Sequence, residues 1–112
     1  DWNLPTEDID RFIRAITKPF PGAFTFHNGL RLKIWDAEIP KKPRQYEGRI
    51  PGRVILLHKG RGVEILTGDS SLLIKEVTYD GKNGLATKFI KTVKTTLGID
   101  WIKLYEHLAP KV

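Results

Sequence analysis

The stretch AFTFHNGLRLKIW, residues 23 to 35, constrains the fold more than any other part of the chain. Asn28-Gly29 is the strongest short signal for a two-residue hairpin, a turn that requires positive φ angles. In the second arm Leu30, Leu32 and Ile34 face one side while Arg31, Lys33 and Trp35 face the other. That alternation has the period of a half-buried strand. One surface of the hairpin therefore joins a core, and the other carries two cations beside an aromatic ring.

Three more strands are expected, in RVILLH, GVEIL and SLLIKEVTY, separated by turns at 59–62 and 67–70 and followed by a closing turn, DGKNG. Five short strands with tight turns suit a small barrel or Greek key. A helix should precede them: Thr6 is placed to cap it, Glu7 and Asp8 complement its positive end, and Ile9, Phe12, Ile13 and Ile16 share one face. Lys18-Pro19 should end it, since a residue before proline avoids the helical region. After the strands, LATKFIKTVKTTLG reads as a short helix stopped by Gly98, with Phe89, Ile90, Val93 and Leu97 on one side. DWIKLYEHL aligns Trp101, Leu104, Tyr105 and Leu108 as a last helix starting from Asp100. The expected fold is mainly β with flanking helices: a small OB-like Greek-key barrel, an N-terminal linker helix before it and one or two short C-terminal helices after it. The boundaries fall at 1–18 for the linker helix, 19–99 for the barrel domain and 100–112 for the helical tail.

At 112 residues the chain is one domain with a single core. No apolar run approaches the roughly 20 residues of a membrane span, so no membrane is expected as a partner. The polar start DWNLPTED is no signal peptide, and the absence of cysteine makes a cytoplasmic location the default expectation. The chain also lacks methionine, which suggests a piece of a longer protein. Charge is the strongest bulk signal. Between Pro40 and Gly62 lie Lys41, Lys42, Arg44, Arg49, Arg53, Lys59 and Arg61 against the single acid Glu47, an excess equal to the whole net charge of +6. Pro40, Pro43 and Pro51 keep the basic segment irregular. Such a block attracts polyanions by counterion release, or serves only to keep the surface solvated.

A catalytic constellation is not found. His27, His58 and His107 are far apart in sequence, without partners at metal-ligand spacing, and His27 and His58 read as polar surface. Ser70 and Ser71 lie in a turn signal, and KGRG and DGKNG lack the spacing of a phosphate loop. No catalytic residue and no metal ligand is assigned. The residues assigned to acceptor or nucleic-acid binding are Arg31, Lys33, Trp35, Lys41, Lys42, Arg44 and Arg49. Cations interleaved with an aromatic supply phosphate contacts together with stacking. Packing beneath the basic loop or a terminal helix is the competing role for Trp35.

The run IDRFIRAITKPFPGAFTFHNGLRLKIWDAEI resembles the start of the C-terminal, OB-like domain of formyltransferases that use 10-formyltetrahydrofolate. The resemblance rests on Ile13-Arg14-Ala15, Pro19-Phe20-Pro21-Gly22-Ala23 and Leu32-Lys33-Ile34-Trp35, with PGRVI, GVEILTGDSSLLIKEV and ATKFIKTVKTTLGI similar further on. It implies an elbow between linker helix and barrel, with Phe20 and Phe24 anchoring it in the core. It implies a non-catalytic domain that helps to bind or position the formyl acceptor, methionyl-tRNA or an amino-sugar nucleotide. The catalytic residues and 10-formyltetrahydrofolate would belong to a preceding Rossmann-like domain absent from this chain, so no cofactor is expected here. The basic charge fits the tRNA enzymes. The spacer Ile16-Thr17-Lys18 before the first elbow proline is one residue longer than theirs and matches the sugar-nucleotide branch. A free-standing basic OB-like nucleic-acid-binding module is the alternative.

Overall fold

The computed structural model describes residues 1–41, 50–93 and 95–98. Helix α1, Thr6–Ala15, buries Ile9 and Ile13 against the strands and leaves Phe12 more than half exposed. Burying two isoleucines stabilises this contact by roughly 1.5–3 kcal/mol each. The cap differs from expectation. Pro5 occupies the N-cap and Thr6 is the first helical residue. The Thr6 N–H donates to Asp69 Oδ1 at 2.9 Å, and its hydroxyl meets that of Thr67 at 2.6 Å. The free N–H groups of a helix start donate to any well-placed oxygen, and here a loop 63 residues away supplies it.

The strands are β1 Ala23–His27, β2 Leu30–Ile34, β3 Ala37–Glu38, β4 Val54–His58, β5 Gly62–Leu66, β6 Ser71–Ile74, β7 Glu76–Tyr79 and β8 Lys82–Leu85. They form two antiparallel four-stranded sheets, ordered β1-β2-β7-β8 and β3-β6-β5-β4. The expected hairpin forms at 23–34; His27, expected in the connection, ends β1 opposite Leu30, and Asn28 and Gly29 take φ angles of 52° and 78°. DGKNG is more than a closing turn: Asp80 and Gly81 make a second turn of that kind, and Lys82–Leu85 returns along β7.

SLLIKEVTY divides at Lys75, placing β6 in one sheet and β7 in the other. The chain of β2 and β3 bends at the same height, around Trp35 and Asp36. Pairing continues through the bend, because Trp35 N–H donates to Glu76 O and Lys75 N–H donates to Asp36 O. The two sheets are thus one folded ladder, and its other side is closed by residues 95–98. Val54 N–H donates to Thr95 O, Leu97 N–H to Gly52 O and Gly98 N–H to Phe26 O. These bonds tie the start of β4 to β1 and give a barrel-like domain.

The closing segment departs from the helix expected over 85–98. Among the described residues of that stretch only a single 3-10 turn, Ala86–Lys88, forms, and Thr96 pairs with Arg53 as an isolated bridge. Ile90, Thr92, Val93, Thr95 and Thr96 are β-branched and disfavour helix, while the extended form completes the ladder. The expected helix at 100–112 lies outside the described residues. The core is aliphatic, with Leu32, Val54, Val63, Ile65, Leu72 and Ile74 fully buried. Among the described residues no helix is long and apolar enough to cross a membrane.

Candidate nucleic-acid interface

Alternation on β1 and β2 turns Thr25, Leu32 and Ile34 inward and Phe24, Phe26, Arg31 and Lys33 outward. Register then arranges the outward residues in rows. Phe24, Lys33, Thr78 and Asn83 stand side by side across all four strands, and Phe26 stands opposite Arg31. The Arg31 guanidinium lies 4.4 Å from the Phe24 ring centre, and Phe24 meets Phe26 edge-to-face at 5.8 Å. One step beyond β2, Lys18 and Lys33 place their ammonium groups 5.1 and 6.0 Å from the centre of the Trp35 ring. Three cations and three aromatic rings therefore share one sheet face. Among the described residues Lys18, Arg31 and Lys33 have no carboxylate partner. Ammonium and guanidinium groups over ring faces are held in place while their remaining N–H donors stay hydrated.

Trp35 has a structural task as well. Its indole N–H donates to Thr78 Oγ1 at 2.8 Å, and its carbonyl accepts from Thr17 at 2.8 Å. Thr78 also hydrogen-bonds Asn83. The ring covers Gly22, where an added Cβ would lie 2.6 Å from it. Packing at the elbow is thus one role of Trp35; part of the basic loop and the terminal helix expected above it lie outside the described residues. Phe20 and Phe24, expected to anchor this turn in the core, are 60% and 52% exposed. An indole reaching back from the end of β2 fills the space instead.

The remaining assigned residues do not join this face. Lys41 lines a groove of about 320 Å³ on the other sheet, with Glu38, His58, Arg61, Glu64 and Leu73. Lys42, Arg44 and Arg49 lie outside the described residues. Sequence reasoning missed Lys18, Phe24 and Phe26 as members of the face. The outward parity of β1 was the available signal for the two phenylalanines.

Residues 1–94 match the family described as formyl transferase, C-terminal domain. The chain belongs to that family. It is 34% identical over 100 residues to the methionyl-tRNA formyltransferase of Clostridium tetani (strain Massachusetts / E88), an overlap of 88% of this chain and 31% of that protein. Identity to the methionyl-tRNA formyltransferase of Symbiobacterium thermophilum is 40% over 82 residues, 73% of this chain and 24% of the relative. For the methionyl-tRNA formyltransferase of Prochlorococcus marinus (strain NATL2A) it is 30% over 111 residues, 89% and 32% respectively. The chain therefore spans about a quarter to a third of the length of these curated relatives.

One cluster in this formyltransferase domain resembles a catalytic set. Glu64, 3% exposed at its side chain, holds His58 Nε2 at 2.9 Å through one oxygen and accepts from Ser71 Oγ at 2.8 Å through the other. Serine and histidine both meet the carboxylate rather than each other, and Ser71 is fully buried. A nucleophile needs its base within hydrogen-bond reach and its oxygen accessible; this arrangement is a buried polar network within the sheet. His58 and Ser71, separate in sequence, are joined only by tertiary pairing. Arg61 in the same groove is engaged by Glu38 at 2.9 Å. Among the described residues no group of three His, Cys, Asp or Glu side chains is placed to hold a metal.

His27, read from sequence as polar surface, is buried at 4% exposure against Tyr79 and Phe89. Burial pushes its imidazole below the ordinary range, partly opposed by the hydrogen bond to Phe89 O. Its Nδ1 has no hydrogen-bond partner among the described residues. The unfolded chain therefore binds the proton better than the fold does. The stability linked to His27 is complete above the ordinary histidine pKa of about 6.5 and is lost as pH falls below it. Urea unfolding at neutral pH and about one unit below that pKa should show the protein losing up to ~1 kcal/mol more than the His27→Gln variant. Equal losses would refute the assignment.

Proposed function

We propose that this chain is the non-catalytic C-terminal part of a formyltransferase acting on methionyl-tRNA, and that its hairpin face binds the RNA acceptor. One observation carries the reading: Lys18, Arg31 and Lys33 converge, without carboxylate partners among the described residues, on the outward rings of Phe24 and Trp35. Phosphates fit the cations, and an unpaired base fits the Trp35 ring that Lys18 and Lys33 flank. The names of the curated relatives support the acceptor. In this reading formyl transfer from 10-formyltetrahydrofolate takes place on the part of the longer enzyme that this chain does not span, in the cytoplasm. The domain orients one end of the substrate, and the basic segment with Lys41, Lys42, Arg44 and Arg49 adds long-range attraction.

Titration with tRNA and with a short single-stranded oligonucleotide, at low and moderate salt, tests this. Micromolar tRNA binding is expected, with a salt slope that reports about 0.9 per neutralised phosphate. Arg31→Glu/Lys33→Glu should weaken binding at least about 10-fold and flatten that slope by about two contacts. The three-residue spacer Ile16-Thr17-Lys18 favours a second reading, in which the acceptor is an amino-sugar nucleotide and the domain is mainly structural. Absence of RNA binding at low salt would select it.

A further inference from the structure

A groove with several large apolar side chains runs along the edge of β1, between it and residues 96–98. Trp2, Phe24, Phe26, Ile50 and Leu97 line about 400 Å³ of it. A smaller hollow continues it past Phe24 to Phe12 on α1. Phe12, Phe24 and Ile50 are 56%, 52% and 47% exposed. Large apolar side chains gathered along one groove mark a surface that something covers.

The chain itself leads into this groove. Thr96, Leu97 and Gly98 form one of its walls, and Gly98 is pinned there by its N–H bond to Phe26 O at 2.9 Å. Gly98 has a φ of 90°, and a Cβ there would lie 3.1 Å from Trp2, so the backbone turns directly over the indole. The sequence that follows is IDWIKLYEHLAPKV, in which Trp101, Leu104, Tyr105 and Leu108 fall at the spacing of a single apolar stripe.

We propose that the barrel's own C-terminal segment, residues 100–108, docks in this groove and lays that stripe over Phe24, Ile50 and Phe12. Reach is adequate. From Trp101 to Leu108 a helical stripe is about 11 Å long, and Phe24 lies about 7 Å along the strand from the pinned Phe26. The short tether gives the segment an effective concentration in the millimolar range at its groove, which favours it over free partners. Docking covers Phe24 from the edge of β1 and leaves Arg31, Lys33 and Trp35 open. It does not depend on RNA binding.

Hydrogen exchange read by mass spectrometry on the 112-residue chain tests the proposal. Amides of 101–108 should exchange at least about 10-fold more slowly than in the free peptide of the same sequence. Phe24→Asp, at an exposed position, and separately Trp101→Ala/Leu104→Ala should each restore the free-peptide rate. Three outcomes overturn the inference. The first is a tail that exchanges freely in the unmodified chain. The second is protection that survives Phe24→Asp in a folded protein. The third is protection that grows with protein concentration together with a dimer in sedimentation, since the occupant is then a second copy.

Discussion

Replacing Gly22 with alanine should destabilise the domain by about 2–4 kcal/mol, a large share of the stability of a chain this size. Two independent effects add. Gly22 has a φ of 89°, where an L side chain is strained by roughly 1–2 kcal/mol. Its Cβ would also stand 2.6 Å from the Trp35 ring, so one of them must move. The ring cannot withdraw freely, because its N–H is bonded to Thr78 and its backbone to Thr17 and Glu76. Gly29→Ala separates the two effects. Gly29 has a φ of 78° but open space around its Cβ position, so only the backbone strain of roughly 1–2 kcal/mol remains. Chemical denaturation of both variants, with near-ultraviolet circular dichroism following the tryptophans, reads the difference. Equal losses would remove the ring contact from this account.

Leu32→Ala should cost about 3–4 kcal/mol, within the range of large-to-small changes in a rigid core. Leu32 is fully buried in the middle of β2, between Thr25 on one neighbouring strand and Tyr79 on the other. Paired strands on both sides limit collapse, so most of the cavity persists and its loss adds to the transfer term. Leu30, two residues earlier with the same parity, is 48% exposed, so Leu30→Ala should cost less than about 1 kcal/mol. Urea midpoints for the pair check this, and a similar loss at both positions would mean that the inward face of β2 is wrongly drawn. The effect bears on function, since Leu32 holds the strand whose other side presents Arg31 and Lys33.

The hairpin was legible in outline because its signals are local. Asn28-Gly29 takes the positive φ angles that its turn requires, and an alternating strand needs only a core on one side. The second hairpin carries the same kind of signal in Asp80-Gly81, but the polar KNGL that follows lacks the alternation of a half-buried strand. The polarity is real: Lys82, Asn83 and Leu85 face solvent on the last strand of their sheet. His27 and His58 show the limit from the other side. Nothing local distinguishes a buried histidine from an exposed one, and both acquire their surroundings from residues more distant in sequence, Tyr79 and Phe89 for one and Glu64 for the other. Likewise Thr6 looked like a cap, but the oxygen that serves the helix start is that of Asp69.

By itself, then, the sequence determined the β class, the first hairpin, the two-sidedness of β2, the basic charge and the family motif at the elbow. Each follows from spacing within a few residues, or from charge, and neither changes when the chain folds. Tertiary structure alone decided that SLLIKEVTY bends at Lys75 between two sheets and that residues 95–98 close the ladder rather than continue a helix. It also decided that Trp35 rather than Phe20 or Phe24 fills the elbow. These outcomes rest on which strand edge remains unpaired and which volume remains unfilled once everything else is in place. Such quantities belong to the assembled barrel and to no segment of it.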